Sequence, residues 1–474
     1  MPQRDPEESV KLSRARRLWR WRQFHEEPRA ISAWGKLVGP LLDWATPARR
    51  RSLLALGGLV MALKYVVNQA HLSGSGRGLE QALLHLVGPF LVILLLFGLF
   101  WLCHLWASNF QALPGPVRRS PQLFLHGAFW ALLLIIWMSS PQDGTWGDLL
   151  LGLAMALPFF LWRMGYMFLS GQRGKVAGTR FRDHVMYLWP LYGGSNTPYG
   201  KGLDYLARTE ARDPQTLARS QLAGLRLLML AGLWMAGREV MEGLVFGADN
   251  GVLKAMGGLT MGLTRLRSMV EAPDAVTPAL GWASLYGELF LNVLNRAAKG
   301  HLIIGVLRLF GFYVFRNTYK PLLAESVVGF WNRYYYYFKE LLVEFFFYPT
   351  FARWFRKRAR LRLFAAVFMA AFVGNMYYHL IRMTQELVAR DWEAVWSFLG
   401  PRLIYCFILS LGIFISMVRE QGRLRQDRSR SIPRRALAIF GVWSFFAVIN
   451  IWNQRGAGTF ESITRLFLGL AGLG

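Results

Sequence analysis

Residues 317–351 read NTYKPLLAESVVGFWNRYYYYFKELLVEFFFYPTF, and the chain continues through a basic cluster into an apolar run that ends GNMYYHL at 374–380. Aromatic-rich, partly polar sequence between apolar runs of spanning length belongs to a membrane bundle, and this stretch decides the fold. Tyr334, Tyr335, Tyr336 and Tyr337 follow Phe330, Trp331, Asn332 and Arg333 directly. On a helix of 3.6 residues per turn, consecutive tyrosines point in different directions, and hydrocarbon offers their hydroxyls no partner. Glu340 and Glu344 lie one turn apart on one face, where buried carboxylates need partners or a wet cavity. The segment is therefore expected either to line a cavity or to lie at the interface as an aromatic belt. His379 follows the apolar run 361–376, in or near the edge of a span. An ionisable group there marks a functional site; the competing reading is a neutral imidazole bonded to a carbonyl of a neighbouring helix.

Composition agrees with a membrane protein. Of 474 residues, 54% are hydrophobic and 15% aromatic, and several apolar runs approach the roughly 20 residues a spanning helix needs. The net charge of +27 would suggest nucleic acid in a soluble protein. Here the basic residues fall between apolar runs, the pattern of cytosolic loops, so membrane lipids are the expected partner and no nucleic acid is. The two cysteines, Cys103 and Cys406, sit in separate apolar runs and read as buried thiols.

Outward from the central stretch, residues 1–51 form a basic cytosolic N-terminal segment without a signal-peptide core. Its RARRLWRWR run, Arg14 to Arg22, reads either as a solvated tail or as an interfacial helix. Residues 52–474 read as a single transmembrane domain. Apolar runs fall at 52–69, 86–106, 123–138, 149–167, 221–246, 279–294, 302–315, 363–378, 403–418 and 436–452. Residues 71–78 form a Gly/Ser turn, 251–274 is ambiguous, and 462–473 is too short to span. Residues 295–300, which carry Arg296 and Lys299, read as an inner loop, as does 419–435 with seven arginines against two acids. Residues 189–205, WPLYGGSNTPYGKGLDY, hold two prolines and four glycines, which forbid regular helix. They read either as a re-entrant loop or as an interfacial one. The fold class is all-α: a polytopic membrane helical bundle of about 10–11 transmembrane helices with re-entrant or interfacial segments, its N-terminus inside.

No Walker-type phosphate loop, HExxH, cysteine–histidine metal spacing or GxSxG occurs. The motifs thus point to no metal site and no tightly bound cofactor.

Several local stretches resemble the membrane-bound O-acyltransferases, in particular the bacterial branch that acylates cell-surface polysaccharides. LIIGVLRLFGF at 302–312 is similar to that family's IAIGLARLFGF-like run, and NTYKP at 317–321 to its NFNRP. SVVGFWNRYYYYF at 326–338 resembles SIxEFWRRWHISL, and EFFFYP at 344–349 resembles DYVYIP. WPLYGGSNTPYGKGLDY resembles PxLxxGPIxRYxxF. The blocks and their spacing cover residues 185–420; residues 1–180 match only as hydrophobic spans. The resemblance implies a tunnel across the membrane. It also implies that His379, at the position of the family's histidine, acts as general base on an acceptor hydroxyl that attacks an acyl thioester or a relayed acyl group. The donor would be acyl-CoA or an acyl-carrier protein, and the acceptor an exported glycan, lipid or small molecule. An acyl-donor protein or an export-complex partner is implied, in a bacterial cytoplasmic membrane; ten lysines among 55 basic residues add a strong arginine bias.

The sequence departs from the family at three places. Tyr335 stands where histidine or asparagine is usual, and tyrosine is a poor base at neutral pH. DFSGYSD becomes NRAAKGH at 295–301, losing both acids and gaining His301, and GLWHG becomes GNMYYHL. His379 and Tyr335 are the catalytic candidates. Asn332, Arg333, Trp331, Tyr334, Tyr378, Asn375, His301 and Asn317 are the candidates for the substrate tunnel, with Tyr335, Tyr378 or His301 orienting His379. The alternative function is a catalytically silent lipid- or acyl-binding relative, or a scaffold in an export complex; a transporter is a third.

Overall fold

An apolar run buried in lipid must satisfy its own backbone N–H and C=O groups, and a helix does so within one segment. The computed structural model describes residues 23–70, 79–139, 145–176, 179–186, 201–255, 257–425, 431–453 and 458–473. Among these residues the regular structure is helical, with a single isolated antiparallel bridge between Glu210 and Phe312. The expected Gly/Ser turn at 71–78, the Arg14–Arg22 run and residues 187–200 of the WPLYGG loop lie outside the described residues.

The helices that organise the bundle are α1 (Pro28–Trp44), α2 (Pro47–Ala70), α3 (Leu79–Ser108), α4 (Pro121–Ser139), α5 (Thr145–Gln172), α6 (Pro214–Leu244) and α7 (Pro278–Leu309). Beyond them come α8 (Val327–Tyr334), α9 (Tyr336–Leu342), α10 (Ala359–Phe368), α11 (Asn375–Leu380), α12 (Trp392–Arg425), α13 (Ile432–Ile449) and α14 (Phe460–Leu470). Among the described residues six segments are long and apolar enough to cross a membrane: Phe90–Ser108, Pro121–Met138, Leu150–Gln172, Ala359–Leu380, Trp392–Gly422 and Ile432–Asn453. This is an all-α, multi-pass, membrane-type bundle. α3 and α4 turn exposed Leu94, Leu95, Leu134, Ile135 and Met138 outward, a face suited to lipid, whereas α5 lies inside, with Phe159, Phe160, Leu161 and Phe168 fully buried.

One expectation is corrected. Residues 295–300 are not a loop between two spans; they lie inside the 32-residue α7. The charges of Arg296 and Lys299 suggested exposure to bulk water, but within the bundle they face a cavity. α6 and α7 carry charges along their lengths and are not among the six apolar segments. They press together where Gly224 meets Gly305: a Cβ on Gly224 would lie 2.8 Å from Gly305 O. Small residues at such a crossing let two backbones approach closely. Asp213 starts α6 with a reciprocal capping box, accepting from Thr216 N at 2.9 Å.

The region 251–274, ambiguous by sequence, holds two short helices, Gly251–Ala255 and Leu266–Glu271. The 462–473 stretch forms the short α14, whose Ile463 and Leu466 are buried. α1 docks on α6 through Trp34 Nε1, which donates to Gln221 Oε1 at 2.9 Å. Both cysteines are free and buried, as read from the sequence.

The tyrosine run does not lie on one helix. The chain breaks at Tyr335 (φ −143°, ψ 77°) between α8 and α9. Residues 317–319 hold the break open by serving the orphan groups of both helix ends. Tyr319 N donates to Arg333 O at 2.8 Å and Thr318 Oγ1 to Tyr334 O at 3.0 Å. Tyr336 N donates to Asn317 O at 2.9 Å. After α9 the chain runs through a π-helical turn, Val343–Phe347, and a second one, Met369–Gly374, separates α10 from α11. The two turns press on each other: a Cβ on Gly374 would lie 2.6 Å from the Phe346 ring.

Candidate functional site

A partly enclosed cavity of about 500 Å³ lies where α7, α8–α9, α11, α12 and α13 converge. Each wall follows from helical periodicity. On α7, Asn292, Asn295, Arg296 and Lys299 stand at i, i+3, i+4 and i+7, one polar stripe on an otherwise apolar helix. Asn375, Tyr378, His379 and Arg382 repeat that spacing on α11 and the turn after it. Trp331, Tyr334, Tyr335 and Phe338 repeat it again across the α8–α9 break. Arg402 and Tyr405 come from α12, and Asn450 and Asn453 from the end of the last span.

The break at Tyr335 divides the tyrosine run between two environments. Tyr334 and Tyr335 line the cavity, and the Arg296 guanidinium lies 4.7 Å from the Tyr335 ring centroid and 5.8 Å from that of Tyr334. Tyr336 and Tyr337 are not among the lining residues: Tyr337 is fully buried and donates to Phe315 O at 2.8 Å, while the Tyr336 ring lies 4.7 Å from Phe315. Neither expected arrangement, belt or cavity, describes all four. Glu340 and Glu344 are both ion-paired, Glu340 with Lys339 and Lys201, and Glu344 with Arg173 at 2.7 Å.

Aromatic rings build the apolar part of the wall. Phe330 stacks on Phe446 with centroids 3.8 Å apart, and Phe338 meets Tyr378 edge-on at 4.7 Å. Rings also hold guanidiniums at the wall by cation–π contact: Arg402 lies 3.7 Å from the Phe398 centroid and Arg382 5.7 Å from that of Tyr378. His379 is half-buried and packs edge-on to Tyr378, so the imidazole borders the cavity instead of being sealed in hydrocarbon. Asn375 is 2% exposed, and its Oδ1 has no hydrogen-bond partner among the described residues.

Of the residues singled out by sequence, His379, Tyr335, Trp331, Tyr334, Tyr378 and Asn375 are brought together around this one cavity. Four are not. Asn332 is exposed on the outer face of α8, and Arg333 donates to Leu323 O at 3.3 Å. His301 is buried on α7 with Nδ1 2.6 Å from Ala297 O, outside the lining of this cavity. Asn317 is buried and structural, its Oδ1 accepting from Tyr337 N at 3.4 Å.

The sequence reading missed the basic wall. Arg296 and Lys299 were assigned to a loop, and Asn292, Arg382, Arg402, Asn450 and Asn453 were not singled out. The usable signal was the i, i+3, i+4, i+7 recurrence of polar residues inside apolar runs, the inverse of a lipid-facing stripe.

No protein-family model matches the chain, and no curated protein matches it either.

Proposed function

We propose that the chain is a membrane-embedded O-acyltransferase that transfers an acyl group from a thioester donor to a substrate hydroxyl, with His379 as general base. The observation that carries this reading is the position of His379: a half-buried imidazole on the wall of a cavity it shares with Tyr335, Tyr378 and Asn375. In the proposed reaction His379 takes the hydroxyl proton as the oxygen attacks the thioester carbonyl. The C–O bond forms, the tetrahedral oxyanion collapses, the C–S bond breaks, and the thiol leaves with the proton returned by His379. Tyr335 is suited to donate a hydrogen bond to the oxyanion rather than to act as a base.

The donor fitting this chemistry is acyl-CoA or an acyl-carrier protein, and the acceptor a glycan, lipid or small molecule bound for the cell surface. The resemblance of residues 185–420 to the bacterial membrane-bound O-acyltransferases supports the reading, and so does the arginine bias, which suits a bacterial cytoplasmic membrane. Basic stretches such as 353–362 and 419–435 read as cytosolic under the positive-inside rule, and in this proposal the N-terminus lies on the same side. A second reading, a silent acyl- or lipid-binding relative in an export complex, draws on Tyr335 standing where the family usually has histidine or asparagine.

The test is incubation of purified protein with labelled acyl-CoA and candidate surface polymers, for wild type and His379→Ala. Transfer by wild type, abolished in a folded His379→Ala protein, is the expected result. Undiminished transfer by that variant would remove His379 from the chemistry, and wild-type binding without transfer would favour the second reading.

A further inference from the structure

Away from the cavity, one end of the bundle carries an exposed basic surface built from two connections. Arg356, Lys357, Arg358 and Arg360 stand on the loop that leads into α10, and Arg118 and Arg119 on the connection between α3 and α4; all six are exposed. Two hydrogen bonds tie these connections to each other and to α5. Arg353 Nη2 donates to Arg119 O at 3.3 Å, and Gln172 Nε2, at the end of α5, donates to Arg118 O at 3.4 Å. None of the six has a carboxylate partner among the described residues, whereas Arg51, Arg173 and Arg435 are paired, with Glu210, Glu344 and Glu325. Like charges gathered on one surface repel, and a negatively charged partner relieves the repulsion.

The place of this surface in the fold points to lipid. Three apolar segments of spanning length end here: Pro121–Met138 begins just after Arg119, Ala359–Leu380 begins just after Arg358, and Leu150–Gln172 closes at the glutamine that holds Arg118. Cations and aromatic rings at the ends of spans sit at headgroup depth, and two rings stand among these cations. Trp354 and Phe355 are 49% and 46% exposed, with centroids 6.4 Å apart, edge to face. Phe355 has a left-handed backbone (φ +49°) in a turn closed by Arg358 N, which donates to Phe355 O at 2.9 Å. That conformation is rare for a bulky residue, and strain of this kind is kept where it serves a contact. About half of each side chain is left uncovered by the protein, so the contact lies outside it. A water-soluble acidic protein would answer the charges but not two rings at the head of a span.

We propose that this two-part surface binds the headgroups of anionic phospholipids in the adjoining leaflet, with the cations on the phosphates and Trp354 and Phe355 at the border of the acyl chains. Five of the six cations are arginines, whose planar forks match phosphate oxygens. The loop lies between the two π-helical turns, Val343–Phe347 and Met369–Gly374. Lipid held there steadies the segment that runs from the break at Tyr335 to His379. The inference does not rest on the proposed function; it needs only the membrane bundle.

The experiment reads lipid binding alone. Protein purified in a neutral detergent is titrated with phosphatidylglycerol or phosphatidylcholine in mixed micelles of that detergent, and separately with poly-glutamate; bound lipid is counted by native mass spectrometry. A preference for phosphatidylglycerol, weakened by added salt, is expected. The triple variant Arg356→Gln, Lys357→Gln, Arg358→Gln should lose about a hundredfold in affinity, the effect of removing three cations from an anionic surface. A matched triple variant, Lys254→Gln, Arg267→Gln, Arg465→Gln, removes the same charge from exposed cations that have carboxylate partners and should bind as wild type does. If the first variant folds poorly, Arg118→Gln with Arg119→Gln keeps both tying hydrogen bonds, which use the backbone carbonyls, and should lose about thirtyfold. Phosphatidylglycerol with brominated chains should quench more tryptophan fluorescence in wild type than in Trp354→Phe. Equal binding of phosphatidylcholine, equal losses in the patch and matched variants, or equal quenching with and without Trp354 would overturn the inference. Binding of poly-glutamate with no preference between the lipids would overturn it in favour of an acidic protein partner.

Discussion

Replacing Gly224 with alanine tests the scaffold that carries the polar stripe of α7. The added Cβ would sit 2.8 Å from Gly305 O and 3.0 Å from Leu309 N, both backbone atoms of α7. Comfortable contact needs about 3.5 Å, so α6 and α7 would have to separate by roughly 0.7 Å at the crossing. A close internal reference lies about two turns further along the same helix: Gly232 is exposed, and a Cβ there meets nothing within 4 Å. Glycine to alanine inside a helix gains about 1 kcal/mol of intrinsic propensity at either position, and this gain cancels in the comparison. What remains is the overpacking cost, about 1–3 kcal/mol. Gly224→Ala should therefore be less stable than Gly232→Ala by about 2 kcal/mol. Gly305→Ala should fall between them, because its nearest contact, 2.9 Å to Leu228 Cδ2, is the end of a flexible side chain. The assay is thermal unfolding of the purified proteins in one detergent, followed by tryptophan fluorescence. Equal midpoints for Gly224→Ala and Gly232→Ala would refute the close crossing and, with it, the placement of Arg296 and Lys299.

Two further outcomes are expected. Asp213→Ala removes the cap at the head of α6 and should cost about 1 kcal/mol, with Asp213→Asn retaining most of the stability; unfolding midpoints of the two variants check this. His184, on the short helix Phe181–Met186, lies against His104, with Thr179 Oγ1 2.9 Å from its Nε2 and Asp183 adjacent in sequence. Burial, helped by His104, pushes its pKa down to about 3. An imidazole held neutral by the fold contributes stability that is complete above its unfolded value of about 6.5 and is lost as pH falls from there towards the folded value. The wild-type unfolding midpoint should drop between pH 7 and 4, and His184→Gln should flatten that slope; parallel curves would assign the acid sensitivity to other groups.

The spans were legible because hydropathy is local. The runs 86–106, 123–138, 149–167, 363–378, 403–418 and 436–452 each fall on one of the six apolar helical segments. His379, Tyr335 and Asn375 were legible for the complementary reason, as polar groups in or beside apolar runs. Arg296 and Lys299 were misassigned because sequence gives charge without its surroundings, and a cavity inside the bundle accepts a charge as bulk water does. Asn317 was read as lining a tunnel, yet it serves the backbone of a helix break that no local pattern announces. Arg402, Asn450 and Asn453 reach the same cavity from elements far apart in the chain, and only tertiary packing joins them.

The widened turn at Met369–Gly374 has a bearing on how the site tolerates insertions and deletions. Such a turn holds one more residue than regular winding would, and each residue of an α-helix advances the phase by about 100°. Deleting a single position from 369–374 would leave the hydropathy of the span nearly unchanged while rotating Asn375, Tyr378, His379 and Arg382 off the cavity together. Distant homologues aligned by their apolar segments alone could thus be out of step by one position where the imidazole sits, and an apparently missing histidine would then reflect a shift of phase instead of a loss.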